Sequence, residues 1–210
     1  MFTNFFPIAK EGLKYILSAT VTFILFYTLD FDFLTFVSFI SIILFIYLYR
    51  NPERELLVFE RDNVLSPVDG VITSIESIQD AQYTYKVQIK TSHLDVGVLR
   101  VPFDATLQNF DMKYGTRLST TETLSASLNE NVALVFTDNK SHSLKLEHTL
   151  DKSFASLHID LIKDKSYKQV SRYGHLPYGL TSIYFPSNFR LNVHVGTHLK
   201  ASQTLLGFFS

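Results

Sequence analysis

Residues 83–90 read YTYKVQIK, and this stretch decides the fold class because apolar and polar side chains alternate along it. Successive side chains of a β-strand point to opposite faces, so the alternation predicts a strand that is buried on one face only. The same alternation returns in three later stretches, residues 143–150, 155–162 and 191–195. Residues 132–136 form a short apolar run, which predicts a strand that is buried on both faces. Residues 64–210 are therefore expected to form a mostly β domain, folded as a compact antiparallel barrel or sandwich.

The composition excludes several functional classes. The chain has 210 residues and a formal net charge of −1, without a block of basic residues, so nucleic acid is not an expected partner. It has no cysteine, which excludes disulfides and thiolate sites. His194 and His198 have the spacing of a metal-ligand pair only in a helix, and their flanks predict a strand followed by a turn. No metal site is therefore expected.

The first fifty residues are predicted to form a membrane anchor. Residues 13–29 and 33–49 are nearly unbroken apolar stretches of 17 residues each, close to the minimum length for a helix that crosses a bilayer. Asp30 and Asp32 lie between them, which predicts the turn of a helical hairpin at a water interface. Residues 1–50 are thus expected to be a two-helix membrane hairpin, with a pair of buried core helices as the alternative.

The charges that flank these stretches predict the side of the membrane. They are Lys10, Lys14, Arg50 and Arg54. Because basic residues collect on the cytoplasmic side, both ends of the hairpin and the following β domain are expected on the cytoplasmic side of the inner (cytoplasmic) membrane. Residues 51–63 carry mixed charge and are expected to form a charged junction between the hairpin and the β domain.

Several short strings occur in an order that is typical of one family. They are KEG at 10–12, RNPER at 50–54, SPVDG at 66–70, DVGVLRVP at 95–102, NEN at 129–131, GHLPYG at 174–179 and VGTHLKA at 195–201. In this order and spacing, the chain resembles the membrane-anchored phosphatidylserine decarboxylases of the short prokaryotic type. The resemblance covers most of the chain. It implies a lyase of lipid metabolism that converts phosphatidylserine into phosphatidylethanolamine during phospholipid biosynthesis.

The resemblance also implies a cofactor that the enzyme makes from its own chain. In the family, a serine that follows a glycine attacks the preceding carbonyl, the chain is cut, and a pyruvoyl (pyruvate-type) group remains on the new N-terminus. Here the matching glycine is Gly179, and the next residue is Leu180, which has no hydroxyl. Asp69 matches the family's acid, whereas Gly97 stands at the position of its histidine. A pyruvoyl group is therefore expected for the family but not for this chain.

These replacements leave the activity open between several hypotheses. The favoured one is a decarboxylase relative that is catalytically impaired or inactive, a pseudoenzyme. A second is an active decarboxylase that uses Ser182 as a shifted pyruvoyl precursor, although in a strand this residue would be displaced by ~7 Å from Leu180. A third is a non-enzymatic membrane module that binds a lipid or a partner. A fourth is a biotinyl- or lipoyl-type adaptor that is modified at Lys113.

Three arginines are candidates for binding lipid head groups. Arg50 and Arg54 lie where the membrane surface is expected, and the guanidinium of Arg100 suits bidentate contact with a phosphate. The alternatives are a solvated or carboxylate-paired Arg100, and an ordinary tight-turn role for Asp69. Membrane phospholipids are the expected partners, and a homo-oligomer stays open.

Overall fold

The computed structural model describes residues 7–54, 62–80, 82–119, 121–122 and 124–210. The chain divides into two compact units, Met1–Glu53 and Arg54–Ser210. The charged junction predicted for residues 51–63 lies largely outside the described residues, because residues 55–61 are not among them.

The N-terminal unit is a pair of helices. A single 3₁₀ turn, Lys10–Gly12, leads into α1 (Leu13–Thr28), and α2 (Asp32–Leu48) follows after a tight turn. Asp30 takes a left-handed backbone conformation in that turn, with φ 55°, which a short polar side chain tolerates. The helices pack through aromatic rings, with the ring centroids of Tyr15 and Phe45 5.7 Å apart.

The predicted membrane hairpin is wrong. Within the ranges that the structure describes, no helix combines the length and the apolar character that crossing a membrane requires. With 16 and 17 residues, α1 and α2 measure about 24 and 26 Å at a rise of ~1.5 Å per residue, against roughly 30 Å of hydrocarbon core. The sequence pattern identified the two helices, but their lengths fall short of a span.

The second unit is mostly β, as predicted. Its described residues form fourteen strands and one short helix. They are β1 (Asn63–Leu65), β2 (Gly70–Ser77), β3 (Tyr85–Thr91), β4 (Val98–Arg100), β5 (Ala105–Lys113), α3 (Ser125–Leu128), β6 (Asn131–Thr137), β7 (Ser143–Leu150), β8 (His158–Ile159), β9 (Ser166–Tyr167), β10 (Arg172–His175), β11 (Gly179–Phe185), β12 (Phe189–Leu191), β13 (His198–Leu199) and β14 (Leu205–Phe209).

The described strands form three antiparallel sheets. The largest has eight strands in the order β13-β2-β3-β11-β7-β6-β5-β9, and two smaller sheets have the orders β1-β14-β12 and β4-β10-β8. Strands β11 and β7 pair in regular register from Gly179↔Leu150 to Tyr184↔Lys145. The inward side chains of these sheets form one apolar core, which includes Val87, Ile89, Leu134, Leu146 and Ile183. The expectation of antiparallel sheets is confirmed.

The strand predictions differ in their outcome. Residues 143–150 form β7 with the predicted one-sided burial. Residues 132–136 lie in β6, but Ala133 and Val135 are only half-buried, so the prediction of burial on both faces is wrong. Of residues 155–162, only His158 and Ile159 form a strand, and of residues 191–195 only Leu191 does. Alternating apolar residues indicate that one face of a segment is buried. In residues 155–162 the buried apolar side chains lie mostly in the loops that flank β8, so the burial does not require a long β-ladder.

Candidate functional site

The Gly179–Leu180 bond, where the resemblance places the cut, lies at the start of β11. This strand lies between β3 and β7, so Leu180 pairs with Lys90 on one side and Thr149 on the other. The side chain of Leu180 is half-buried and aliphatic. The bond is therefore part of a continuous hydrogen-bonded ladder.

The close approach of β7 explains the glycine at residue 179. A Cβ atom added there would lie 2.3 Å from the carbonyl oxygen of Thr149 and 2.9 Å from Cδ1 of Leu176. The first neighbour is backbone in a paired strand and cannot move aside cheaply. Gly179 is thus required by packing, whatever the residue that follows it.

The space beside Gly97 is filled by a histidine from another strand. A Cβ atom at Gly97 would lie 2.7 Å from Nε2 of His175 and 2.7 Å from the carbonyl oxygen of Leu176. His175 is 2% exposed and pairs through β10 with Val98, the residue after Gly97. The imidazole of His175 therefore occupies the volume that a side chain at residue 97 would need. The sequence did not identify His175, because only the β4–β10 pairing brings it to this position.

Leu176 connects these two glycines. Its backbone N–H donates to the carbonyl oxygen of Gly97 at 2.7 Å, while its side chain packs against Gly179. On the other side, Thr91 pairs with Gly179 and its hydroxyl donates to the carbonyl oxygen of Asp69 at 2.7 Å. The structure thus brings the main chains of three predicted positions, Asp69, Gly97 and Gly179, to one end of the large sheet.

The side chain of Asp69 is held in a buried ion pair. Both of its carboxylate oxygens accept hydrogen bonds from Arg54, at 2.6 and 2.5 Å, and Oδ1 also accepts the backbone N–H of Ala201 at 2.8 Å. The guanidinium of Arg54 donates in turn to the carbonyl oxygen of Ala201 at 2.6 Å. The side chains of Arg54 and Asp69 are 8% and 11% exposed. Arg54 therefore binds Asp69 in this structure, and its guanidinium is largely buried.

Ser182 lies two residues further along β11, on the same face as Leu180, because alternate residues of a strand share a face. It is 7% exposed and pairs with Gln88 and Glu147. The carboxylate of Glu147 is already bound to the hydroxyl of Tyr184 at 2.7 Å and to Nζ of Lys145 at 2.7 Å. The strand pairing thus fixes the position of Ser182, while the neighbouring carboxylate of Glu147 is bound to Tyr184 and Lys145.

A buried polar chain lies on the opposite face of β11. Thr181 is hydrogen-bonded through Oγ1 to Nδ1 of His148 at 2.8 Å, and Nε2 of His148 is hydrogen-bonded to the hydroxyl of Tyr173 at 2.7 Å. All three side chains are fully buried. Burial lowers the pKa of His148 from 6.5 to about 3, so the imidazole is neutral and a weak base. The arrangement satisfies core polar groups and is poorly suited to activating a nucleophile.

A second cluster of contacts involves Lys90, the strand partner of Leu180, and Tyr178, the residue before Gly179. Lys90, the β3 partner of Leu180, forms an ion pair with Asp151, and its ammonium lies 4.5 Å from the ring centroid of Tyr178. His93 stacks on the same ring at 4.2 Å. The backbone N–H of Asp151 donates to the carbonyl oxygen of Tyr178 at 3.0 Å, which ties the residue before Gly179 to the end of β7.

The remaining predicted residues, Arg50, Arg100 and Lys113, make contacts of their own. Arg50 stacks on the ring of Tyr47 at 4.1 Å and donates to its carbonyl oxygen at 2.9 Å. The backbone N–H of Arg100 donates to the carbonyl oxygen of Pro67 at 2.9 Å. Lys113, at the end of β5, donates to the carbonyl oxygen of Ser127.

At the Gly179–Leu180 bond, the residues present do not fit the formation of a pyruvoyl group. Such a group needs a serine at the cut, and Leu180 supplies only carbon atoms. None of the eight glycines in the sequence is followed by serine. Over the described parts of the chain, no group of three histidine or acidic side chains is arranged to hold a metal ion.

Comparison with known proteins identifies consistent relatives. The family model for phosphatidylserine decarboxylase matches residues 42–207. The chain is 24% identical over 206 residues to the phosphatidylserine decarboxylase proenzyme of Desulfotalea psychrophila, with 96% of each chain covered. It is 27% identical over 170 residues to that of Wolbachia sp. subsp. Brugia malayi, covering 76% of this chain and 73% of the relative. With that of Pelagibacter ubique it shares 24% identity over 218 residues, covering 98% and 99%. No solved structure matches the chain.

Proposed function

The chain belongs to the phosphatidylserine decarboxylase family, and from this membership we propose that it is a relative that stays uncleaved, forms no pyruvoyl group and has lost the decarboxylation. The observation that carries the proposal is Leu180, an aliphatic residue at the first position after Gly179 in a paired strand. Self-cleavage needs an oxygen nucleophile on the residue after the cut, with a base and an orienting group nearby. Leucine provides no such oxygen.

Two further observations support the same proposal. Gly97 has no side chain to accept a proton, and the carbonyl oxygen of Leu176 blocks the space in which one would grow. The carboxylate of Asp69 is bound by Arg54 and by the N–H of Ala201, so its hydrogen bonds serve the packing of the C-terminal segment. The chain thus retains sequence strings of the family around a bond that has no adjacent hydroxyl to open it.

We propose that the retained function is binding of a phospholipid or of a protein partner at a membrane surface. The support is the family itself, whose members are named for a membrane lipid as substrate. Arg50 and Arg100 keep their place as candidate contacts for head-group phosphates. Arg54 is a weaker candidate because its guanidinium binds Asp69. The predicted cytoplasmic side depended on the membrane hairpin and loses its support with it.

Mass measurement of the denatured protein tests the proposal. A single chain of 24.1 kDa is expected, together with no release of carbon dioxide from vesicles that contain phosphatidylserine. A fragment that begins with a pyruvoyl group at residue 182 would instead establish the active alternative with Ser182 as precursor. Added mass on Lys113 would establish the biotinyl or lipoyl alternative.

The variant Leu180→Ser, with Leu180→Ala as its matched control, tests whether the missing serine alone prevents cleavage. The alternative is that the missing base at residue 97 and the pairing of Asp69 prevent it as well. Both variants are expected to remain one chain, because residue 97 has no side chain that could act as a base and the carboxylate of Asp69 is bound to Arg54. Cleavage of Leu180→Ser alone would show that only the nucleophile is missing, and would contradict the part that Gly97 and the paired Asp69 have in the proposal.

A further inference from the structure

The N-terminal unit exposes more apolar surface than a monomeric protein usually does. Eighteen large apolar side chains in residues 13–47 have between 39% and 76% of their surface exposed, and Phe33 has the largest fraction. With ~150–200 Å² per side chain and half of it exposed, they present on the order of 1,500 Å² of apolar surface. The largest apolar patch on a typical monomer measures ~300–600 Å². A partner is therefore expected to cover part of α1 and α2.

The exposed apolar residues of both helices follow the spacing of helix bundles, in which intervals of four and three residues alternate. In α2 they are Phe33, Val37, Ile40, Leu44 and Tyr47, and in α1 they are Leu17, Val21 and Ile24. This spacing keeps one stripe of a helix against a neighbouring helix. The two helices already pack on each other through other side chains, such as Tyr15 and Phe45. The stripes are therefore available to a second pair of helices.

Opposite charges lie at the two ends of this unit. Lys10 and Lys14 are exposed where α1 begins, whereas Asp30 and Asp32 are exposed at the turn between the helices. None of these four side chains forms an ion pair with another described residue. Lys14 and Asp30 lie at opposite ends of α1, ~24 Å apart at ~1.5 Å per residue, and salt screens exposed charges beyond ~8–10 Å. The two charged ends of one unit therefore do not neutralise each other.

We propose that two copies of this chain associate through their N-terminal units, in an antiparallel four-helix bundle with two-fold symmetry. The turn of each protomer, with Asp30 and Asp32, then lies beside Lys10 and Lys14 of its partner. A parallel bundle would instead place the two acidic turns together, which is unfavourable. With lengths of about 24 and 26 Å, the helices of the two units match from end to end. Covering about half of the exposed apolar surface would bury ~800 Å² per protomer, the size of a standard stable interface.

This inference goes beyond the proposed loss of decarboxylation and is independent of it, because it uses residues of the N-terminal unit only. An active enzyme and an inactive relative would both form the dimer. Failure of the dimer would leave the expected chain mass and the expected lack of carbon dioxide release unchanged.

Sedimentation velocity of the full chain, in buffer without detergent, tests the proposal. The wild-type protein is expected to sediment as a dimer, with twice the chain mass of 24.1 kDa. The double variant Asp30→Lys, Asp32→Lys makes both ends of the unit positive, and Lys10→Glu, Lys14→Glu makes both ends negative. Each variant alone is expected to raise the dissociation constant by about tenfold or more, because every contact between the ends of two protomers becomes repulsive.

An equimolar mixture of the two charge variants is the sharper measurement. The mixture is expected to form a heterodimer about as tight as the wild-type dimer, because both end contacts again join opposite charges. The matched control is Lys163→Glu, Lys165→Glu, which reverses two exposed lysines of the β unit and should dimerise as the wild type does. Circular dichroism of each variant measures whether its helix content is that of the wild type.

The wild-type protein provides a test without any substitution. Its dissociation constant should rise with the concentration of sodium chloride, because salt screens the end charges. The proposal is overturned if wild-type protein sediments as a monomer, or if its dissociation constant does not rise with salt. It is also overturned if both charge variants have wild-type helix content and dimerise as tightly as the wild type, or if their mixture forms no heterodimer. A monomer that floats with phosphatidylcholine vesicles would show that a lipid surface covers the helices instead.

Discussion

Asp69 shows how much a single residue's role depends on its partner. Its position in the string SPVDG indicated a retained catalytic acid, and the structure places it in a bidentate pair with Arg54 at the end of RNPER. The third member of this contact, Ala201, belongs to the last string, VGTHLKA. Three strings that are far apart in the sequence thus meet in one buried hydrogen-bonded group, and their joint occurrence has a structural explanation.

The variant Asp69→Asn is expected to lower the free energy of unfolding by about 3 kcal/mol, because it leaves the buried guanidinium of Arg54 without its counter-charge. The double variant Asp69→Leu, Arg54→Leu should lose clearly less than the two single leucine variants together. Urea unfolding of the four proteins measures the coupling. Effects that add to within about 0.5 kcal/mol would show that the pair is not coupled.

The buried His148 predicts an acid-sensitive fold. Its pKa is lowered from 6.5 to about 3, so the unfolded chain takes up a proton below pH 6.5 that the folded chain cannot. Stability that is fully present above pH 6.5 is therefore lost as the pH falls towards 3, by about 2 kcal/mol between pH 7 and pH 5. Urea unfolding at both pH values measures this loss.

The control for this pH dependence is a pair of glutamine variants. His148→Gln removes the titrating group and should flatten this part of the pH dependence, although it is less stable at neutral pH. His194→Gln changes an exposed histidine and should retain the slope. Equal slopes in both variants would refute the assignment to His148.

At the scale of the element, β11 contains both Gly179, where the close approach of β7 leaves no room for a side chain, and Leu180, which lacks the hydroxyl that cleavage needs. Gly179→Ala would place a Cβ atom 2.3 Å from the carbonyl oxygen of Thr149, and is expected to destabilise the protein by about 1–3 kcal/mol. Ser182→Ala removes only a hydroxyl from the same strand and is expected to change the stability much less. Amide hydrogen exchange of the β7 and β11 ladder, with urea midpoints, measures both effects. A Gly179→Ala protein as stable as Ser182→Ala would exclude the proposed constraint.

The elements that were predicted correctly are those in which side-chain pattern and strand pairing coincide. In β7 every second residue is buried and the whole strand is paired, so the alternation was sufficient. Residues 155–162 alternate equally well, but only two of them pair with β10. For the site, the strings located Gly97 and Gly179, which do meet through Leu176. His175 was not predicted as a site residue, because its placement depends on the pairing of β10 with β4.

At the scale of the whole molecule, the chain consists of two compact units that meet in sequence at Glu53 and Arg54. The second unit contains its own apolar core and all the contacts of the candidate site. A fragment of residues 54–210 is therefore expected to unfold cooperatively and to retain the pH dependence that comes from His148. Circular dichroism during urea unfolding measures this. A fragment without a cooperative transition would show that the helical unit is required for folding.

The strand order also determines how the protein would behave if its chain were cut after Gly179. The piece that follows Gly179 contributes β11, β13 and β14, and each of these is hydrogen-bonded to a strand from the other piece: β3 and β7, β2, and β1 respectively. The two polypeptides would be interleaved across two sheets and would co-migrate as one particle after the backbone had been severed. Gel filtration of the native protein would therefore not detect cleavage of the backbone. Separation of the two polypeptides in denaturant is needed to detect it.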